Sequence, residues 1–309
     1  MHPNPSTSTV KLVAAFAAIY VVWGSTYLAI RYAVEGLPPL LMMGVRHVVA
    51  GGVLYAWLRL RGEAAPVRRE WLPAAIAGAI LFLGGHGLLA WSEQRVSSGL
   101  AALLVASEPL VMVLLAWKSG QERLSSRIVI GLLLGMGGIA VLCQTGVEQG
   151  TALGVAAVLI AAILWSVGAI YSRGIRTNTS AGLFAAMQMI TGGVLLLLVS
   201  AGSGERVAIS SLSAKSVLSL AYLIVFGSVL AFTAYTWLMR VTTAARVSTH
   251  CYVNPIIAVL LGWAIGGEQI TTRMLVGSII VVLSVVLVVR RGTEPAPRAA
   301  RIGQEVAAD

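Results

Sequence analysis

Charge is what this 309-residue sequence has least of. Lysine and arginine number 22 and aspartate and glutamate 12, so charged residues make up 11% of the chain. A soluble domain carries about 25%. The one aspartate is Asp309, the last residue. That scarcity excludes aspartate-dyad proteolysis and Asp-rich or Walker-type magnesium sites. No Gly-x-x-x-x-Gly-Lys-Ser/Thr stretch occurs, so no P-loop ATPase is present. Gly-x-Ser-x-Gly is also missing, which leaves a hydrolase without its nucleophile turn. Lysine occurs only at Lys11, Lys118 and Lys215, each at the end of an apolar run. The two cysteines, Cys143 and Cys251, lie within apolar runs and read as buried thiols, not a disulfide or metal pair.

What is there is apolar: 58% of the residues, with a mean hydropathy of +0.87. The net charge of +10 comes from sparse arginines between apolar runs, not from a basic face, so nucleic acid is not an expected partner. A bilayer core about 30 Å thick takes roughly 20 apolar residues per helix. Ten uncharged or nearly uncharged runs meet that length, at 11–34, 38–59, 71–92, 97–117, 127–145, 152–172, 180–201, 215–239, 244–265 and 271–290. The fold class expected is all-α, a polytopic membrane protein of ten transmembrane helices. The loops then average only about eight residues, too short for a folded domain outside the membrane. A transmembrane barrel is excluded because the runs are continuous, not alternating. The first run is too long for a signal-peptide core and reads as a retained helix.

Lysine and arginine are distributed unevenly between alternate connections. The termini and loops 2–3, 4–5, 6–7 and 8–9 hold 16 of them, the other loops hold Arg95, Arg206, Lys215 and Arg273, and Arg31 and Arg46 lie within runs. The positive-inside rule puts both termini in the cytoplasm, as an even number of spans requires.

The chain also repeats itself at a spacing of about 141–146 residues. Residues 91–131 align with 237–277 without a gap: Trp91 with Trp237, Pro109 with Pro255, Trp117 with Trp263, Glu122 with Glu268, and Arg127 with Arg273. Gly51-Gly52-Val53-Leu54 echoes Gly192-Gly193-Val194-Leu195, and Trp23…Arg31 echoes Trp165…Arg173. The expected units are 11–145 and 152–290, with tails at 1–10 and 292–309. Five spans is an odd number, so the second unit enters the membrane inverted. Inverted repeats of this kind are typical of secondary transporters, whose substrate sites lie near the midplane between the repeats.

With these features the sequence resembles the drug/metabolite transporter superfamily, in its ten-helix form with two EamA-like halves. The resemblance rests on Trp23-Gly24-Ser25-Thr26-Tyr27, on Arg46, and on the doubled motif of Pro109 and Pro255 followed by Gly120-Gln121-Glu122-Arg123-Leu124 and Gly266-Gly267-Glu268-Gln269-Ile270. Within the superfamily the chain is similar to bacterial amino-acid and metabolite exporters. The resemblance implies cytoplasmic termini in a bacterial-type inner membrane, a central cavity and export of small organic molecules.

Ionisable groups at membrane depth are functional candidates by default. Glu108, halfway along the fourth run, reads either as a substrate-amine contact or proton carrier, or as the structural partner of Arg46. Its counterpart in the repeat is Asn254; each precedes a proline, and Pro109 and Pro255 free a backbone carbonyl and bend their helices. His86 lies in Gly84-Gly85-His86-Gly87, where missing side chains admit either a packed helix or a ligand. His250 and Tyr252 differ by about 200° around the ninth helix, so at most one faces a cavity squarely. Tyr20, Trp23 and Tyr27 form one helical stripe, which serves either helix packing or an aromatic cavity wall. Trp165 mirrors Trp23. Ser25, Thr26, Tyr235 and Gln188 are further polar candidates. The substrate-cavity set is therefore Tyr20, Trp23, Ser25, Tyr27, His86, Glu108, Trp165, Tyr235, Tyr252 and Asn254. Glu122 and Glu268, with Arg127 and Arg273, read as helix caps and loop ion pairs, or as gate latches.

The function expected is secondary transport of small organic metabolites, amino acids or related amphipathic and cationic compounds, by alternating access. The alternatives are a nucleotide-sugar or sugar-phosphate exchanger of the same superfamily, a channel, and an intramembrane enzyme. Buried lysines, which phosphate handling favours, are missing. No catalytic residue, metal or cofactor is expected; the partners are a small-molecule substrate and the lipid bilayer, with the chain a monomer or homodimer.

Overall fold

A computed structural model describes residues 9–118, 126–148, 152–208, 212–242, 247 and 250–289. The described residues are helical throughout, with no strand among them. They form ten rods: α1 (Thr9–Val34), α2 (Pro39–Leu60), α3 (Arg68–Ser92), α4 in two pieces (Ser98–Val105 and Glu108–Lys118), α5 (Ser126–Glu148), α6 (Ala152–Gly174), α7 (Ala181–Gly202), α8 (Ala214–Tyr222, Leu223–Leu230 and Ala231–Val241), α9 (His250–Ala264) and α10 (Thr272–Val289). Six are long and apolar enough to cross a membrane, and α4, α5, α9 and α10 contain shorter apolar stretches. Exposed large side chains such as Leu72, Leu133, Leu198, Leu218 and Ile279 cover the outer surface. A soluble protein would not leave so continuous an apolar exterior.

Three rods are locally widened to π-helix, at Ala18–Val22 in α1, Ala79–Gly87 in α3 and Leu223–Leu230 in α8. The α3 and α8 segments occupy corresponding places in the two sequence units. Such widenings release backbone carbonyls and occur often at functional sites.

The packing pairs corresponding rods. α2 lies along α7 and α5 along α10, and these are the two most extensive contacts in the molecule. Both pairs run antiparallel: Gly44 meets Leu197, Val48 meets Gly193 and Gly182 meets Leu58, while Gly135 meets Ser284 and Leu142 meets Gly277. The backbones approach closely here because glycine has no side chain. A Cβ on Gly51 would sit 2.9 Å from the Ala186 carbonyl oxygen, and one on Gly193 would sit 2.7 Å from the Val48 nitrogen. Around these pairs α1 packs on α8 and α9, and α6 packs on α3 and α4.

The ends of α2 and α7 are fastened in the same way. Each helix finishes in a left-handed glycine, Gly62 (φ 90°) and Gly204 (φ 75°), followed by a glutamate. Glu63 accepts a hydrogen bond from Ser180, the N-cap of α7, and Glu205 accepts from the Leu41 amide at the start of α2 (2.8 Å). A carboxylate at a helix N-terminus satisfies orphan amides and the helix dipole together.

Candidate functional site

Midway along the rods, α1, α2, α3, α4, α6 and α9 enclose a cavity of about 70 Å³. Its wall combines the aromatic rings of Trp23, Tyr27 and Trp165 with the polar groups of Thr26, Arg46, His86, Glu108, His250 and Asn254. A space of that size holds a few water molecules.

The break in α4 delivers Glu108. Ser107 spends its hydroxyl on the Leu104 carbonyl (2.6 Å), the helix restarts at Glu108, and Pro109 follows where a missing amide proton costs nothing. Pro109 therefore marks the restart of a broken helix, whereas Pro255 lies inside the continuous α9. Glu108 is 4% exposed. Among the described residues its carboxylate has no ion pair, and Arg46 is engaged elsewhere. The Arg46 Nε donates to the Ser228 Oγ (2.8 Å), and its guanidinium rests against Gly227 in the π segment of α8. Structural pairing of Glu108 with Arg46 is thus not found; the two groups face one cavity without meeting.

The rings form a connected cluster. Trp165 stacks on His86 (4.7 Å between centroids, 16° between planes), and His86 shares a hydrogen bond with His47 (2.9 Å). Trp23 meets Trp165 and His250 edge to face (6.2 and 5.2 Å), and its indole Nε1 donates to the Gly227 carbonyl (3.1 Å). Stacked and T-shaped pairs at such distances hold rings in fixed orientations. The Asn254 amide nitrogen, oriented as its neighbours require, donates to the Ile19 and Tyr20 carbonyls that the π segment of α1 exposes (3.2 and 3.0 Å).

Six of the ten residues read from sequence thus meet at one cavity: Trp23, Tyr27, His86, Glu108, Trp165 and Asn254. His250 joins them. Tyr235 packs behind the wall against Trp23 and Phe232 (5.0 and 6.2 Å). Ser25 turns toward α8 and shares a hydrogen bond with Tyr222 (2.6 Å). Tyr20 packs near Phe16 (5.7 Å), off the wall. Gln188 is bound to Ser172 (2.8 Å). The side chains of Tyr252, Cys143 and Arg127, and all of Glu122, lie outside the described residues.

The model of a family described as EamA-like transporter family matches residues 11–144 and again 152–290. The chain belongs to the EamA-like transporter family. It is 39% identical over 280 residues to the uncharacterized inner membrane transporter YedA of Escherichia coli (strain K12), covering 90% of each chain. It is 24% identical over 276 residues to the uncharacterized transporter YoaV of Bacillus subtilis (88% of this chain, 94% of the relative). Protein PagO of Salmonella typhimurium is 27% identical over 292 residues (90% and 92%). A solved crystal structure at 20% identity superposes with a TM-score of 0.67, covering 91% of this chain and 98% of the other, which shows a shared fold.

In this EamA-like transporter, on the arginine-poor side where α1 and α9 end, the carboxylate of Glu268 ties several rods together. Glu268 accepts hydrogen bonds from the Ser98 amide (2.9 Å), the Ser98 hydroxyl (2.6 Å) and the Gly99 amide (3.0 Å), and it forms an ion pair with Arg31. It therefore caps the N-terminus of α4 and ties it to α1. Its ion-pair partner is Arg31. Gly262 makes room for it: a Cβ there would lie 2.5 Å from the Glu268 Oε2. Sequence marked Gly262 and Glu268 separately, but nothing in their spacing announces that one makes room for the other.

Proposed function

We propose that this EamA-like transporter is a bacterial inner-membrane exporter of small organic metabolites, amino acids or related amphipathic and cationic compounds, working by alternating access. The observation that carries the reading is the cavity midway along the rods. Its wall presents a buried carboxylate, Glu108, from α4, a guanidinium, Arg46, from α2, and the rings of Trp23 and Trp165 from α1 and α6. A zwitterionic or cationic solute with an apolar body matches that combination: the carboxylate takes an ammonium, the guanidinium takes a carboxylate, and the rings take the body or a cation. The Escherichia coli relative's name, an inner membrane transporter, supports the location.

Alternating access requires two related halves. The antiparallel pairing of α2 with α7 and α5 with α10, and the matching Gly62-Glu63 and Gly204-Glu205 fastenings, support an inverted relation between 11–145 and 152–290. The cavity admits only a few waters in this conformation, so substrate enters after the rods separate. The arginine count supports a reading with the Glu268 closure on the periplasmic face and both termini in the cytoplasm. A phosphate-bearing substrate fits less well, because Arg46 is the one Lys or Arg on the wall among the described residues and a buried acid shares the cavity with it.

The test is a substrate panel in proteoliposomes: neutral, aromatic, cationic and acidic amino acids, with and without a pH gradient. Saturable counterflow of at least one class is expected. Unitary currents without saturation for every solute would contradict it and favour a channel.

A further inference from the structure

Of the buried acids outside the cavity, Glu93 is the one whose carboxylate has no side-chain partner among the described residues. Glu93 follows the last residue of α3, its amide bonded to the Leu89 carbonyl (3.0 Å), and it is 4% exposed. Neither carboxylate oxygen has a full hydrogen bond among the described residues; the Arg31 backbone amide approaches it and offsets a little of the cost of burial. Leu89 lines the cavity, and Glu93 is four residues further along the same helix face, so it stands one turn beyond the cavity toward the arginine-poor face. Ile30 lines the cavity in the same way, and its neighbour Arg31 holds the closure with Glu268. Glu93 therefore lies beside the Arg31–Glu268 closure, on the side of the cavity that the closure covers.

A carboxylate without partners in a dry site is expensive to keep charged. Its ionisable neighbours are few. α1 presents Tyr27 and Arg31, α2 presents Arg46, and the α9–α10 connection presents Glu268. α6, packed on the last turn of α3, carries no ionisable side chain before Tyr171. Arg31 and Arg46 offset part of the cost, but the Arg31 side chain is bonded to Glu268 and that of Arg46 to Ser228, and neither forms an ion pair with Glu93 while the closure holds. Burial first, and the Glu268 charge second, push the Glu93 carboxyl well above the usual carboxylate range.

We propose that Glu93 is a proton-binding site built into the gate: it holds a proton while the Arg31–Glu268 closure is made, and releases that proton to the arginine-poor side when the closure opens. This rests on the transporter reading above. In the step, the Glu93 O–H bond breaks, the proton passes to water admitted by the opening, and the carboxylate left behind takes Arg31 from Glu268 as its ion-pair partner. Because the closed state binds the proton more tightly, acid favours closure and rising pH favours opening. Gate opening and proton release are then one event, which makes the opening of this face depend on the pH it meets.

The amides of Ser98 and Gly99 report the closure, since Glu268 is their acceptor. Hydrogen exchange at these amides, corrected for the intrinsic pH dependence, is measured in purified full-length protein from pH 4 to 9. Wild type is expected to lose at least 10-fold in protection as pH rises, with a midpoint more than one unit above the ~4.3 of an exposed glutamate. Glu93→Gln, a permanently neutral mimic, is expected to stay protected throughout, and Glu268→Ala to be unprotected throughout. The infrared difference spectrum of wild type minus Glu93→Gln should contain a neutral carboxylic C=O band, Glu108 contributing equally to both proteins. A difference spectrum without that band, or wild-type protection independent of pH, would overturn the proposal. Failure of every solute in the transport panel would instead reject the transporter reading, whatever the exchange data give.

Discussion

Single residues set the chemistry here because the chain has so few that ionise. Glu268 satisfies two amides, a hydroxyl and a guanidinium at once, and a hydrogen bond to a charged group contributes roughly 1.5–3 kcal/mol. It depends on Gly262. Gly262→Ala places a methyl group against the carboxylate, and overpacking of that kind costs about 1–3 kcal/mol. The expected outcome is a lower thermal midpoint in detergent, with the Ser98 and Gly99 amides losing exchange protection. An unchanged protection pattern would show that the closure tolerates the methyl. At the cavity, sequence alone identified Glu108, Trp23 and Trp165, because acids and mid-span tryptophans stand out against leucine and valine. Glu93 was missed. It sits at a helix end, where a glutamate is ordinary, and only the packing of α1 and α6 over it makes it buried.

At the scale of elements, the glycine pairs decide how closely helices approach. Gly51 and Gly52 are neighbours in sequence with opposite surroundings: a Cβ on Gly51 meets the α7 backbone at 2.9 Å, while Gly52 has nothing within 4 Å. Gly51→Ala is expected to destabilise the α2–α7 pair by about 1–3 kcal/mol. Gly52→Ala should be neutral or slightly stabilising, since alanine is the better helix former by about 1 kcal/mol. Thermal melts of both variants check this, and equal effects would contradict the close packing of α2 on α7. The ten apolar runs were readable from length and hydropathy, and their ends agree with the rods to within a few residues for most of the chain. The π segments in α1, α3 and α8 were not. They follow from tertiary contacts, such as the Asn254 amide on the Ile19 and Tyr20 carbonyls, which no local pattern encodes. The break in α4 was half legible: Pro109 marks the place, but proline there reads as a bend in a continuous helix until the free turn at Ala106–Ser107 is seen.

The whole molecule carries a cavity flanked by two kinds of fastening. Glu268 and Arg31 hold the arginine-poor face, where α1, α4 and α9 meet. On the arginine-rich face Glu70 accepts from the Thr179 hydroxyl (2.6 Å) and the Asn178 amide (3.1 Å), and Glu63 accepts from Ser180, joining α2, α3 and α7. If the halves exchange shapes during transport, α1, α4 and α9 are the rods that part on the first face, while α2 and α7 remain paired. The repeat was visible in the sequence, but its pairing into antiparallel partners needed the packed structure. The most direct test of the whole account is counterflow of a panel-positive solute in proteoliposomes, comparing wild type with Glu108→Gln at matched reconstitution. Saturable wild-type exchange that falls at least about 10-fold in the variant, as loss of a charged contact worth ~1.4 kcal/mol or more requires, is the predicted result. Exchange in Glu108→Gln equal to wild type for every solute would contradict the cavity as the transport site.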